Sequence, residues 1–332
     1  MSTVLAEPES VLAQPGRKQD KGRAPLLVFK GSVSVSLMWW ILQETNFEDI
    51  GISLRAASLP LLCLAFGLPF FGYLISVSRW KLLLQAQGVS AQVGYLIRSF
   101  MVSIFFNNFL PSTIGGDVFR IYDSWRLGAS KACAVAVVFV DRFLGLLALI
   151  ALTMIGLLSP NPFSETIPNL SLWVWGGFSL VMALGVVLFH SSFSGNFLQT
   201  DCQSKLTHRV LGIVNNVNDG FAAFRGRTDT VVKAFALSLL LQANVVVQYF
   251  IIAKALHLSI PFWSFFLIIP LTLFVMLLPV SINGIGLRES IFVLILAPWG
   301  VEKPEALALA WLAYGCLVIQ GLLGGVVYAL RK

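Results

Sequence analysis

Apolar residues along this chain come in long unbroken runs, not in the alternation of a half-wet strand or the narrow stripe of a surface helix. Runs at 25–42, 57–78, 132–158, 170–190, 233–256, 261–280 and 306–330, with a shorter one at 288–300, match the roughly 20 residues that a helix needs to cross a hydrocarbon core about 30 Å thick. Lipid offers no partner for backbone N–H and C=O groups, so spanning segments are helices or closed barrels, and barrel strands alternate. The pattern predicts an all-α polytopic membrane protein with about eight transmembrane helices.

Charge between the runs orients them, because basic residues collect on the cytoplasmic side. Glu44, Glu48, Asp49 and Arg55 give the 44–56 segment two net negative charges, which suits an outer loop, whereas Arg79, Lys81 and Arg98 suit the inside. Glu165 between Pro160 and Leu170 suits the outside, and Lys205, Arg209, Arg225 and Arg227 suit the inside. The 132–158 helix must then run outward, so the stretch around 96–120 begins and ends on the cytoplasmic side, as a re-entrant hairpin or a pair of short, broken helices. Glu302, Lys303 and Glu305 mark a last outer loop and Arg331 and Lys332 an inner C-terminus. Both termini are expected in the cytoplasm, the protein lying multi-pass in the inner (plasma) membrane of the cell.

Residues 1–24, polar and carrying Arg17, Lys18, Lys21 and Arg23, read as a disordered cytoplasmic tail, and 25–330 as a single transmembrane domain. Within the inner loop 191–232, Leu206, Val210, Ile213, Val217, Phe221 and Phe224 recur every three or four residues opposite Lys205, Arg209, Asn216 and Arg225, the spacing of an amphipathic helix. It lies in the membrane interface or packs on the protein's own inner face.

Composition narrows the function. With 57% hydrophobic residues, 12% charged ones and a mean hydropathy of +0.82, the chain is far from the ~25% charge of soluble domains. Cys63, Cys133, Cys202 and Cys316 are far apart, and His190, His208 and His257 form no HxxxH pair, so neither a disulfide framework nor a metal or other cofactor is expected. The net charge of +7 is explained by topology, with no nucleic acid as partner.

Two segments carry candidate chemistry. Asn107-Asn108-Phe109-Leu110-Pro111-Ser112-Thr113-Ile114-Gly115-Gly116-Asp117-Val118-Phe119-Arg120 places a helix breaker, two glycines and two charges at the end of an apolar run. Leu278-Pro279-Val280-Ser281-Ile282-Asn283-Gly284-Ile285-Gly286-Leu287-Arg288-Glu289 repeats the plan: aligned from Leu-Pro, five of eleven positions coincide, including Gly116/Gly284 and Arg120/Arg288. Such paired Gly/Pro interruptions in two halves point to an internal two-fold repeat with a binding site between the halves. Pro111, Gly115, Gly116, Pro279, Gly284 and Gly286 are the expected hinge or broken-helix positions. An arginine stands beside a carboxylate in each segment, Arg120 with Asp117 and Arg288 with Glu289, and the planar guanidinium fork suits a phosphodiester. Asp141-Arg142 lies either about 15 Å deep in a helix entered near Ala132 or at the interface, if the span starts at Phe143. Asn244 and Gln248 share a helix face, lining a cavity or bonding to neighbouring helices.

On these residues the chain resembles the flippase-like transmembrane region of lysylphosphatidylglycerol synthase and its stand-alone, uncharacterised relatives. The likeness covers nearly everything after residue 25 and rests on Arg79-Trp80, on Asn108 to Arg120, on Asp141-Arg142 with Gly145, and on Leu278 to Glu289. Asp141 replaces the Glu common there. The resemblance implies a helical domain that moves lipids between leaflets. It also implies that this chain, ending at Lys332 without the soluble aminoacyl-transferase domain of the full synthase, is not an enzyme.

The expected function is lipid or lipid-linked precursor transport, with Arg120, Arg288, Asn108, Asp117, Glu289, Asp141 and Arg142 binding the headgroup of an anionic phospholipid or polyprenyl phosphate. Two rivals stand beside it. A polyprenyl-phosphate-dependent membrane glycosyltransferase would use Glu48 and Asp49, and a non-catalytic partner would dock a lipid-modifying enzyme through the 191–232 loop.

Overall fold

The computed structural model describes residues 23–43, 45, 47–109, 115–158, 162, 169–190, 224, 227–277, 280–281 and 283–331. The tail at 1–22, most of the amphipathic stripe between 205 and 225, and the breakers Pro111 and Pro279 lie outside them. Every regular element among the described residues is helical: α1 (Arg23–Leu42), α2 (Phe47–Ala56), α3 (Leu59–Ala86), α4 (Val93–Phe109), α5 (Gly115–Arg126), α6 (Lys131–Leu157), α7 (Leu170–His190), α8 (Thr228–Ala255), α9 (Phe265–Met276), α10 (Leu287–Leu296) and α11 (Lys303–Leu330), with short 3-10 turns before α9 and after α10. Among them, four helices, α3, α6, α8 and α11, are long and apolar enough to cross a membrane unaided.

Local chemistry sets the ends. Ser130 caps α6 by accepting from the Cys133 N–H at 3.1 Å, and Pro near the start of α3 and α11 sits where a missing N–H costs nothing. Two expectations change. The 44–56 segment, read as a loop, contains α2, whose first turn carries exposed Glu48 and Asp49, a favourable place for negative charge. The second span, expected to stop at 78, continues through Arg79 and Trp80 to Ala86. Hydropathy falls at those charges, but the helix persists because Arg79 is paired inside the protein.

α3 and α8 lie against each other along their length, α11 packs on α4, and α6 touches α3, α5, α7, α8 and α9. Glycines permit the closest approaches: a Cβ on Gly324 of α11 would run into the Met101 carbonyl of α4, and one on Gly321 would lie 2.8 Å from Asn108 Nδ2. Tight backbone contact of this kind is the usual means of helix association where lipid gives no hydrophobic drive.

α4 and α5 form a hairpin. At its open end Tyr95 Oη and Ser99 Oγ donate to the Asp123 carboxylate at 3.1 and 2.5 Å; at its tip the Gly116 N–H donates to Asn107 Oδ1 at 2.8 Å. At 17 and 12 residues, its arms rise only about 25 and 18 Å at 1.5 Å per residue.

Apolar packing among the described residues forms two large clusters and a small one around Leu267. The first large cluster draws on Val246–Leu258, Phe265, Phe266, Ile268, Ile269, Phe292 and Ala306–Ala313; the second draws on Val77–Val89, Leu96, Ala134–Leu144, Ala234 and Phe224. Along α3 and α8, the stretch between the two large clusters carries polar side chains: Tyr73 and Ser76 on α3, and Ser238, Gln242 and Asn244 on α8.

Candidate functional site

Three helices bring two arginines onto one carboxylate. Asp141 of α6, 2% exposed, holds Arg79 Nε of α3 at 2.6 Å on Oδ1 and Arg120 Nη1 of α5 at 2.9 Å on Oδ2. The Arg79 contact is close but poorly aligned, a charge contact more than a directed hydrogen bond. Arg79 Nη1 also donates to Ser238 Oγ of α8 at 2.7 Å. Because α6 begins at Lys131, Asp141 stands ten residues, about 15 Å, along it.

The Arg120 guanidinium lies 4.9 Å from the Trp80 ring and 5.6 Å from Phe100, favourable for a desolvated cation. Its Nε and Nη2 are buried and have no hydrogen-bond partner among the described residues. Farther out, Arg142 forks onto Asp117 through Nε at 3.0 Å and Nη2 at 2.9 Å, its own side chain half exposed.

These groups line a cavity of about 560 Å³ whose other walls, Phe139, Leu146, Leu149 and Val181 among them, are largely apolar. Of its charged lining residues, Arg79, Arg120 and Arg142 face only Asp117 and Asp141, a surplus of one positive charge. In a low-dielectric interior such a surplus is costly and attracts an anion.

A second cavity of about 330 Å³ shares Ser76, Phe100, Ile104, Asn107 and Leu241 with the first. Its polar lining is uncharged. Asn244 and Gln248 both face it, each 9% exposed. Tyr73 donates to Gln320 across it, Gln320 and Gln248 reach Cys316 Sγ at 3.0 and 3.3 Å, and Asn244 makes no hydrogen bond among the described residues.

The second signature segment is built differently. Asn283, Gly284 and Gly286 all have positive φ, at 56°, 76° and 79°, and make the sharp turn into α10. A Cβ on Gly286 would lie 2.7 Å from the Ser34 carbonyl of α1. Glu289 turns back to accept from the Gly286 N–H at 2.8 Å, capping its own helix. Arg288 is 3% exposed and lies over Tyr314 at 4.6 Å, with Nε and Nη1 unpartnered among the described residues; it lines neither cavity. The segments meet through Asn108, which donates to the Leu317 carbonyl at 2.6 Å and accepts at its own carbonyl from Asn283 Nδ2. Gly116 is helical, whereas its counterpart Gly284 is a left-handed turn.

Sequence reasoning left one cluster unnoticed. Arg331, just beyond α11, forks onto Asp123 at 2.7 and 3.0 Å and donates to Tyr95 Oη at 2.8 Å. These hydrogen bonds to Asp123 hold its guanidinium protonated above the usual arginine range. Its partners lie more than 200 residues upstream, so no local pattern could reveal them. Arg79 was visible as a motif residue but read as a loop charge. Among the described residues no group of His, Cys, Asp and Glu could hold a metal.

The described residues form an all-helical membrane protein whose interior holds a charged, partly apolar cavity. The chain belongs to the lysylphosphatidylglycerol synthase TM region family, which it matches over residues 27–325. It is also similar to a UPF0104 membrane protein of Methanothermobacter thermautotrophicus strain Delta H, 24% identical over 308 residues, covering 85% of this chain and 88% of that protein.

Proposed function

We propose that this protein binds the anionic headgroup of a membrane lipid or lipid-linked precursor and moves it between leaflets, without making or breaking a covalent bond. The observation that carries the reading is Arg120: buried among apolar helices, lining an amphipathic cavity with one surplus positive charge, and with two guanidinium nitrogens that have no hydrogen-bond partner among the described residues. A phosphate oxygen satisfies such donors bidentately, while the apolar wall accommodates the first carbons of the tails.

In this reading the protein lies in the inner (plasma) membrane with about eight crossing segments, the shorter helices α9 and α10 completing the passage begun by the long ones. The α4–α5 hairpin is re-entrant, and its open end shares the cytoplasmic face with the C-terminal Arg331 that it binds. The two signature segments act as related halves. Arg120 takes the phosphate first; Arg288, whose Nε and Nη1 also have no partner among the described residues but which lines neither cavity, takes it after the turn at 283–286 shifts. No GxxxxGK[ST] phosphate cradle occurs in the sequence, so direction comes from an ion gradient, the membrane potential or a partner, or the lipid equilibrates passively. Glu48 and Asp49 serve α2 as first-turn acids.

The test is headgroup translocation in vesicles containing the purified chain and a labelled anionic phospholipid. Wild type is expected to expose the label to external quencher, and Arg120→Gln, in which Arg79 still neutralises Asp141, is expected to lose this. Undiminished translocation in a well-folded Arg120→Gln protein overturns the reading.

A further inference from the structure

We infer that Arg331 and Asp123 clamp α4, α5 and α11 into one rigid unit, and that this unit carries Arg120 past the bundle of α3, α6 and α8 when the lipid crosses. The inference rests on the transport reading and names the moving part behind it. Arg331 and Asp123 are positioning residues, since neither lines the two cavities.

The clamp differs from a surface ion pair. Asp123 of α5 is fully buried and receives Arg331 Nη1 and Nη2 at 2.7 and 3.0 Å. Ser99 Oγ and Tyr95 Oη of α4 donate to the same carboxylate. A buried carboxylate held by an arginine fork and two hydroxyls has both oxygens satisfied, and stripping away one partner exposes the full cost of the charge. The Arg331 guanidinium also lies 5.0 Å from the Tyr95 ring of α4 and 5.4 Å from the Phe119 ring of α5. Phe119 stacks on Phe106 of α4, and Tyr328 of α11 meets both rings edge-on.

The other end of the hairpin is pinned to the same helix. Asn108 donates to the Leu317 carbonyl, and Gly321 and Gly324 of α11 admit Asn108 and the Met101 carbonyl at close range. α11 is therefore bound to the hairpin at both of its ends.

The facing helices are tied to one another instead. Gly72 of α3 lies against α8, where a Cβ would stand 3.0 Å from Asn244 Oδ1. Arg79 of α3 donates to Ser238 of α8 and pairs with Asp141 of α6. The two cavities lie between the units: Ser76 of α3 and Leu241 of α8 line both from one side, and Phe100, Ile104 and Asn107 of α4 from the other. Ion pairs that cross from α5 to α6 are Arg120 with Asp141 and Asp117 with Arg142, the latter arginine half exposed. An exposed pair is held weakly, and a lipid phosphate replaces Asp141 as the anion on Arg120. Dense packing within each unit and open space between them mark the surface along which one shifts against the other. Asp123 stands three residues after Arg120, just under one turn of α5, so fixing Asp123 to α11 makes Arg120 move with α11.

The experiment measures distances between spin labels by pulsed electron resonance on the full chain, its four native cysteines replaced. The protein is reconstituted in vesicles of phosphatidylcholine alone or with phosphatidylglycerol added. Labels are carried by Val93→Cys in α4, Val232→Cys in α8 and Val326→Cys in α11, all exposed positions. The Val93–Val326 distance is expected to stay single and the same in both vesicles. The Val93–Val232 distance is expected to shift or split by more than the width of the Val93–Val326 distribution. In Arg331→Gln, the Val93–Val326 distribution is expected to broaden and headgroup translocation to fall about tenfold, while retention of phosphatidylglycerol in detergent stays near wild type. Arg331→Lys, which keeps the charge without the fork, is expected to fall between the two. Tyr95→Phe, which removes one hydroxyl from the clamp, serves should Arg331→Gln misfold, with a smaller change in the same direction. A Val93–Val326 distance that shifts as far as Val93–Val232 overturns the inference, as do unchanged distances in vesicles that translocate lipid, or wild-type translocation in a clamp variant. Each of these leaves the transport reading standing as long as translocation depends on Arg120; undiminished translocation in Arg120→Gln overturns that reading itself.

Discussion

Two segments with matching sequence spacing do different work. In the first, Arg120 and Asp117 reach out to α6 and meet Asp141 and Arg142, so charges from separate helices interlock around a cavity. In the second, Glu289 bends back to cap its own helix and Arg288 lies on Tyr314 without a carboxylate partner among the described residues. The difference teaches that the Gly-x-x-x-Arg spacing positions an arginine near a helix start, while its role depends on what the neighbouring helices supply. Asp141 has no counterpart beside Arg288 among the described partners, and it is the presence of Asp141 that lets two arginines share one buried site.

The comparison can be broken by mutation. Asp141→Asn leaves Arg79 and Arg120 buried without an anion and is expected to cost about 3–5 kcal/mol, seen as a large fall in unfolding midpoint in mixed micelles. Gly286→Ala, which forces a side chain into positive φ and against Ser34, is expected to cost about 1–3 kcal/mol, with hydrogen exchange rising at the start of α10. Glu289→Gln loses only the charge on a cap and is expected to cost about 1 kcal/mol, well under Asp141→Asn in the same assay; equal costs would erase the distinction drawn between the segments. Arg142→Ala removes an exposed ion pair and is expected to cost at most about 1 kcal/mol.

The helical class was legible because unbroken apolar runs admit no other way to satisfy a backbone in lipid, and α6, α7, α8 and α11 begin and end close to the runs at 132–158, 170–190, 233–256 and 306–330. A pair of short helices near 96–120 was one of the two forms that charge parity suggested, and α4 and α5 are such a pair. The pairing inside the site was less legible. Asp141 and Arg142 were conspicuous as charges within a long apolar run, deep or interfacial, but their division between Arg120 and Asp117 depends on α5 packing against α6. Arg79 was assigned to a loop because hydropathy counts its charge and not its partner. The Arg331–Asp123–Tyr95 cluster joins residues from opposite ends of the chain and leaves no periodic trace. Nor does spacing reveal that Gly116 stands in the first turn of a helix while Gly284 makes a left-handed turn before one; the neighbours differ, Ser103 and Asn107 in one case and Met276 in the other.

The most direct measurement is the amount of anionic lipid that co-purifies with wild type, Arg120→Gln and Arg288→Gln in mild detergent, quantified by mass spectrometry. Loss of about tenfold or more in Arg120→Gln with near wild-type retention in Arg288→Gln is the predicted result, since Arg120 lines the larger of the two cavities described above and Arg288 lines neither. Full retention in Arg120→Gln, or equal loss in both variants, would contradict the assignment of the headgroup to the Arg79–Asp141–Arg120 site.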